Sequence, residues 1–309
     1  MHDLPEIFHY WSNKYLLPIQ KQFGFVSPED FFISYCIKYC LENTNIEKIK
    51  ILSIGSGNGE LEILIATKLL NKGISNFFII CMDININMLD RTSQLAKQEG
   101  VEKYIKTITD DFNTWKPDFQ FNIVLANQSL HHVIELEHLF NSIYEGLVQN
   151  GLFLTSDMIG RNGHMRWPEA LEALKPFWDE LSHEKKYNQQ LKRLEDVYIN
   201  HDCSTEGFEG IRAQDILLLL NQRFNFELFL PFANIVTVFI DRSFGHNFNI
   251  SDPKDLEFID RVHQKDEELM IKGILKPTQM LAAMAKCEVE NIKLVNPNLT
   301  PEFCIRKVS

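Results

Sequence analysis

Apolar residues change rhythm along this chain near Lys50. Before that point, aromatic and aliphatic side chains recur in FHYWSNKYLLPI and again in DFFISYCIKYCL at spacings that gather them on one helical face. Ser27-Pro28-Glu29-Asp30 lies between the two runs and reads as a helix start. From Lys50 onward short apolar runs alternate with longer amphipathic stretches, which predicts βα units around a parallel sheet. The expected strands are KILSIG, NFFIICMD, KTITD, FNIVLANQ and GLFLTSD. The alternation breaks after Asp157, and residues from about 160 to 211 read as an insertion rich in charge and aromatics. A helix from Ala213 to Phe224 then leads into FELFLPF and IVTVFID, two runs too close together for a parallel crossover, so an antiparallel edge hairpin is expected. Asp252 to about Cys287 reads as helix again. The expected organisation is α/β, with a helical N-terminal cap (1–48), a central domain with helices on both sheet faces (49–250) and a C-terminal helical extension (251–309).

Composition narrows the class. A chain of 309 residues, 45% of them hydrophobic, is long enough for one large core with a smaller appended unit. No apolar run approaches the roughly 18 to 20 residues of a membrane helix, and the polar start lacks a secretory pattern, so a soluble, cytoplasmic protein is expected. The six cysteines form no CxxC pair and read as reduced thiols. A formal net charge of −11 with no basic stripe disfavours nucleic acid as a partner and favours a small molecule. The terminal helices are the candidate surface for a homodimer.

The first chemical signal is Gly55-Ser56-Gly57-Asn58-Gly59, set between the apolar run Ile51-Leu52-Ser53-Ile54 and the stretch LEILIATKLL. Glycines are needed where a strand turns sharply into a helix and a ligand approaches the backbone, because a Cβ there would fill the gap. The triplet alone fits a tight βα turn as well as a ligand loop. Asp83 closes NFFIICMD about one βα unit later, where a carboxylate can accept both hydroxyls of a ribose. Together they point to an adenosine-type ligand. A dinucleotide fingerprint runs GxGxxG, and here the third glycine comes one residue early, which argues against a nicotinamide cofactor.

These segments resemble class I S-adenosylmethionine-dependent methyltransferases. ILSIGSGNGELE looks like that family's first motif, CMDININML like its acidic second, TDDFNTW like its adenine-side third and FNIVLANQSLHHV like its fourth, in the same order. LFNSIYEGLVQNGLFLTSD is similar to the helix, turn and fifth strand that follow, with Val148-Gln149-Asn150-Gly151 where Lys-Pro-Gly-Gly is usual. The resemblance spans about Lys50 to Asp157. It implies S-adenosylmethionine as cofactor, held by the segment from Ile51 to Glu62, and a Rossmann-like sheet of seven strands with the last one reversed. By position it places Gly55, Gly57 and Gly59 beside the methionine moiety, Asp83 on the ribose and Ile84 against the adenine. Asp111 and Phe112 would flank the adenine ring, with Asp110 an equal candidate for its amino group, and Asn127 would lie near the sulfonium. Asn127 also suits a cap for a helix starting near Ser129. Ser53 departs from the pattern, because relatives carry an acidic residue there.

Methyl transfer from a sulfonium needs chiefly positioning and desolvation, and a general base only for a hydroxyl or a protonated amine. His131 is the first candidate base, since histidine titrates near neutral pH. Asp157 is its competitor, and ring packing or loop capping are the plainer roles of the two. His132, Arg161, His164, Arg166, Trp167, Arg212 and His246 make up the candidate acceptor site, with guanidinium groups suited to an anion and an indole offering a flat apolar face. The expected acceptor is a small, anionic or sugar-like molecule methylated on oxygen or nitrogen. No metal is expected, because Cys36 and Cys40 have no further ligand nearby and the carboxylate of a catechol-type site is Asn127 here. Tyr10, Trp11 and Tyr15 suit either a packed interface or a lid. Three other readings stay open: a non-catalytic adenosyl-binding protein, a protein methyltransferase and a nicotinamide-dependent oxidoreductase.

Overall fold

In the computed structural model, which describes residues 4–205 and 207–306, the amino-terminal apolar face is helical as expected. Glu6–Trp11 (α1) passes through a π-helical turn into Leu17–Gln22 (α2). Pro28–Glu42 (α3) begins at Ser27, whose hydroxyl accepts from the Asp30 N–H. Tyr10 and Tyr15 donate to Asp260 at 2.9 and 2.6 Å, and the Trp11 indole donates to His263 at 3.2 Å. The three aromatics therefore dock the amino-terminal helix onto a later helix.

The βα units follow in order. They are Ile49–Ile54 (β1), Glu60–Asn71 (α4), Phe77–Asp83 (β2), Ile86–Gln98 (α5), Ile105–Thr109 (β3), Phe121–Asn127 (β4), Leu136–Gly146 (α6) and Leu147–Met158 (β5). All five strands run parallel, with β1 at the centre between β2 and β4. The insertion contains Pro168–Asp179 (α7) and a short ribbon of Tyr187–Asn188 (β6) with Arg193–Leu194 (β7). The chain continues through Ala213–Arg223 (α8), Asn225–Phe232 (β8), Val236–Ile240 (α9), Pro253–Ile271 (α10), Gln279–Ala285 (β9), Lys293–Leu294 (β10) and Pro301–Cys304 (α11). The large sheet has eight strands in the order β10-β8-β9-β5-β4-β1-β2-β3.

Three expectations are corrected here. The sheet has eight strands rather than seven, β10 being added at the edge. IVTVFID is not a strand: Val236–Ile240 is a short helix whose leading N–H groups, on Asn234, Ile235 and Val236, all donate to the buried Asp266. A continuous apolar run carries no periodicity to separate helix from strand. The reversed strand is instead β9, read as helix because Ala and Met favour helices when nothing else decides. It pairs antiparallel with both β5 and β8, so the region 251–309 supplies a strand inside the sheet rather than a purely helical extension.

Successive strand residues face opposite sides. Ile51, Ile79, Ile123 and Leu154 join one apolar layer with the helices α1, α3 and α4, while Leu52, Ile80, Val124 and Phe153 join the other with α6 and α8. Both layers are buried, and the open functional edge is left at the carboxyl ends of β1, β2, β4 and β5. Among the described residues, no helix is long and apolar enough to cross a membrane.

Candidate active site

Strand β1 ends in a loop that requires its glycines. Gly55, Gly57 and Gly59 have φ of 69°, 55° and 73°, a left-handed backbone that other residues adopt at a cost. A Cβ on Gly55 would lie 2.5 Å from Ser129 Cβ, and one on Gly59 would lie 2.4 Å from Thr92 Cγ2. A Cβ on Gly57 would meet only Met88 Sδ, at 3.9 Å. Two glycines are thus needed by the protein's own packing, while the middle one borders open space. Asp83 ties the loop to β2: one carboxylate oxygen accepts from Gly57 N–H at 2.9 Å and the other from Asn85 N–H at 2.8 Å. Beside it, Ile84 is 64% exposed, an apolar surface at the mouth of the loop. The buried Oδ1 of Asn58 has no hydrogen-bond partner among the described residues. A left-handed loop with room at Gly57, an orphaned acceptor and an adjoining carboxylate fit the amino-acid and ribose parts of an adenosyl cofactor.

The neighbouring candidates fall around this loop. Phe112 is half-buried, with its ring tip 3.7 Å from where a Cβ on Gly55 would be. Asp110 accepts from the Asp111 N–H, and Asp111 accepts from the backbone and side chain of Asn113, so both carboxylates shape the turn that presents Phe112. Asn127 ends β4 beside Ser156 of β5. It does not cap the following turn, because the N–H groups of Ser129 and Leu130 both donate to Asp157. Ser53 is buried, and its hydroxyl donates to Glu62 Oε1 at 2.5 Å. A carboxyl group from α4 therefore lies beside position 53. Burial raises the Glu62 carboxyl from 4.5 to about 7, with Ser53 opposing that rise. Sequence reasoning missed Glu62, whose signal was an acidic residue within the apolar stretch LEILIATKLL.

A histidine cluster occupies the same sheet edge. Asp157 is fully buried and accepts from Ser129 N–H, Leu130 N–H, Met158 N–H and His131 Nδ1, the last at 2.6 Å. Asp157, expected as a competing base, thus has both oxygens occupied and fixes the His131 ring. His131 turns Nε2 toward Glu209 Oε1 at 3.5 Å, and His164 Nε2 lies 2.8 Å from the same oxygen. Burial works against charge on His131, but Asp157 and Glu209 outweigh it and raise the ring to about 10. Both carboxylates thus favour the charged ring, whereas a general base requires the neutral imidazole. Hydrogen bonds from His131 and His164 hold the Glu209 carboxyl far below its usual range. His132 is lowered by burial and by the charge beside it, and its Nδ1 lies 3.7 Å from Glu209 Oε2.

A cavity of about 650 Å³ opens against this cluster. Its wall includes Met158 at the end of β5, His164, Arg166, Tyr198, Glu209 and Thr237. Arg166 is largely buried and donates to the His164 carbonyl and to Thr237 Oγ1. Several expected acceptor residues lie elsewhere. Arg212 grips Glu137 through both terminal nitrogens and also pairs with Asp215, which fastens α8 to α6. Trp167 lies between the guanidinium groups of Arg161 and Arg306, at 5.3 and 4.2 Å, and Arg161 also donates to the Arg166 carbonyl. His246 lines a smaller recess with Gln189, Lys192 and Arg242. Sequence reasoning passed over Glu209, although its place in GFEGIRAQD, between two glycines, marked a tightly held carboxylate.

A family model described as a methyltransferase domain matches residues 46–221. No curated protein matches the chain. Among solved structures it is similar to the O-methyltransferase from a trans-AT PKS multienzyme of Brevibacillus brevis, in complex with S-adenosyl-L-homocysteine. The identity is 16%, 88% of this chain and 75% of that chain are covered, and the TM-score is 0.46. It is also similar to a candidate sarcosine dimethylglycine methyltransferase from Galdieria sulphuraria, with 14% identity, coverage of 84% and 87%, and a TM-score of 0.46.

Proposed function

This chain belongs to the family of methyltransferase domains, and from that premise we propose that it methylates an oxygen or nitrogen atom of a small, anionic or sugar-like molecule, with S-adenosylmethionine as cofactor. When bound, that cofactor supplies an electrophilic methyl group on a good leaving group. The chain's own residues have to hold it, present the acceptor in line and exclude water. Gly55, Gly57 and Gly59 would hold the amino-acid end, Asp83 the ribose, and Ile84 and Phe112 the adenine.

The observation that carries this reading is the continuity between the two halves of the site. Ser129 touches the position of Gly55 and donates to the Ile54 carbonyl, while its N–H donates to Asp157. Asp157 holds His131, which faces Glu209 on the cavity wall. One short turn after β4 thus joins the glycine loop to the cavity, which supports the reading. Asp157 and Glu209 stabilise positive charge at the cluster, and a hydroxyl placed beside positive charge gives up its proton more readily. Arg166 adds a second positive group for an anionic acceptor, in a cavity large enough for a metabolite.

Two measurements test the proposal. Calorimetry with S-adenosylhomocysteine is expected to show one site per chain, weakened at least about tenfold by Asp83→Ala. Incubation with methyl-labelled cofactor and a fractionated metabolite pool is expected to label a small anionic or glycosylated product. Label appearing only on folded protein, or binding of NAD in preference to S-adenosylhomocysteine, would overturn it.

A further inference from the structure

We propose that His131, His164 and Glu209 form a binding site for a divalent transition-metal cation on the wall of the acceptor cavity. The inference deepens the proposed function and rests on it for the cation's role, which is to hold and polarise the acceptor's reacting oxygen.

The donor atoms are already gathered. One ligand atom from each of the three residues lies within 4.8 Å of the others. Ligands that share a cation at about 2.0–2.2 Å sit about 3 to 4 Å apart, and the two imidazole-to-carboxylate distances are 2.8 and 3.5 Å. Closing on a cation therefore requires the Glu209 carboxylate to swing and the two rings to draw together by about 1 Å at most.

The backbone holds this arrangement independently of the side chains. The His164 segment is tied to the Glu209 segment by Gly163 N–H donating to the Gly210 carbonyl at 2.9 Å. The Glu209 segment is tied to the His131 turn by Ile211 N–H donating to the His131 carbonyl at 3.1 Å. His164 itself is held at φ 56°, a left-handed conformation that is costly in a residue other than glycine. Gly210 is equally constrained, since a Cβ there would come 2.9 Å from the His164 ring. Strain concentrated at a donor residue, with its neighbours trimmed to glycine, fits a ligand site better than an incidental ion pair.

The environment of His131 also suits a metal. Metal-binding histidines usually give their second ring N–H to a carboxylate or carbonyl, which fixes the ring and raises its basicity. His131 has this arrangement, with Nδ1 on the buried Asp157 and Nε2 turned to the cluster, where a cation would take the place of the ring's second proton and release it to solvent. Its side chain is 4% exposed, whereas that of Glu209 is 42% exposed, so one side of the cluster is protein and the other faces the cavity. Three protein ligands with an open position are the pattern of a site that also binds substrate. Two imidazoles and one carboxylate select zinc, iron or a neighbouring first-row metal over magnesium or calcium, which prefer oxygen.

The test uses the full chain and cobalt(II), whose visible absorption reports coordination by imidazole. Stripped protein titrated with cobalt is expected to show ligand-field bands that saturate at one ion per chain, and zinc is expected to displace them. His164→Ala and Glu209→Gln are expected to abolish the bands, and Asp157→Asn to weaken binding by about 10- to 100-fold. His201→Ala, on the same cavity wall, is expected to leave them intact. Absence of bands in the wild-type chain, or bands that persist in both His164→Ala and Glu209→Gln, would overturn the site. Glu209 is part-exposed, so its variant separates ligand loss from misfolding, checked by the unchanged unfolding midpoint. S-adenosylhomocysteine binding without cobalt binding would sink the metal site and leave the methyltransferase reading standing, and the reverse pattern would do the opposite.

Discussion

Replacing Glu62 by glutamine tests the physical account of the glycine loop most directly. Glu62 is 2% exposed; one carboxylate oxygen accepts from Ser53, and the other has no partner from another residue among the described residues. Burial raises this carboxyl from 4.5 to about 7, and the charges of Asp83 and Glu60 push the same way. The folded protein therefore keeps a proton that the unfolded chain has already lost, and stability falls as pH rises from 4.5 to about 7. At about 1.4 kcal/mol for each tenfold change in proton affinity, the loss approaches about 3 kcal/mol. Glutamine keeps an oxygen for the Ser53 hydroxyl and carries no charge to desolvate. Urea unfolding near pH 4.5 is expected to give the two proteins similar stabilities, while near pH 8.5 the variant is expected to be more stable by about 2–3 kcal/mol. Equal stabilities at both pH values, or a variant weaker at the higher one, would refute the assignment of a strained, buried carboxylate.

Other outcomes follow from named contacts. Gly59→Ala is expected to cost at least about 2 kcal/mol in urea unfolding, because its methyl meets Thr92. Gly57→Ala, with only Met88 nearby, is expected to cost about 1 kcal/mol yet weaken S-adenosylhomocysteine binding at least about tenfold by calorimetry. Asp157→Asn exchanges an acceptor of four hydrogen bonds for a group with one acceptor atom, and a loss of about 2–4 kcal/mol is expected in the same unfolding assay. Asp260→Ala removes the acceptor for Tyr10 and Tyr15 and the partner of Lys14; it is expected to cost about 1–3 kcal/mol and leave kcat unchanged. A tenfold fall in kcat in that variant would restore the lid reading of the amino-terminal aromatics.

The central βα units were legible because each signal was local. Alternating apolar runs gave β1 to β5, and the glycine spacing with Asp83 marked the left-handed loop that follows β1. Where the sequence misled, the deciding interaction was remote. Val236–Ile240 is helical because Asp266, on another helix, receives its leading N–H groups. Gln279–Ala285 is a strand because β5 and β8 flank it, whatever its helical propensity. The acceptor side divides in the same way. His131 and His164 were recognisable by residue type, but only the fold shows that Glu209 lies between them and that Arg212 is already occupied by Glu137.

The position of β9 also sets an order of events in time. The strand between β5 and β8 leaves the ribosome after both of them, and Thr278 and Gln279 at its start form part of the cavity wall. During synthesis the parallel half of the sheet, with its glycine loop, can fold first, since domains tend to assemble from the amino-terminal side. The acceptor cavity has no complete wall until β9 slides in against two strands made earlier. A nascent chain thus acquires its glycine loop before its cavity wall is complete, and the long-range pairing of β9 is the step expected to pace its folding.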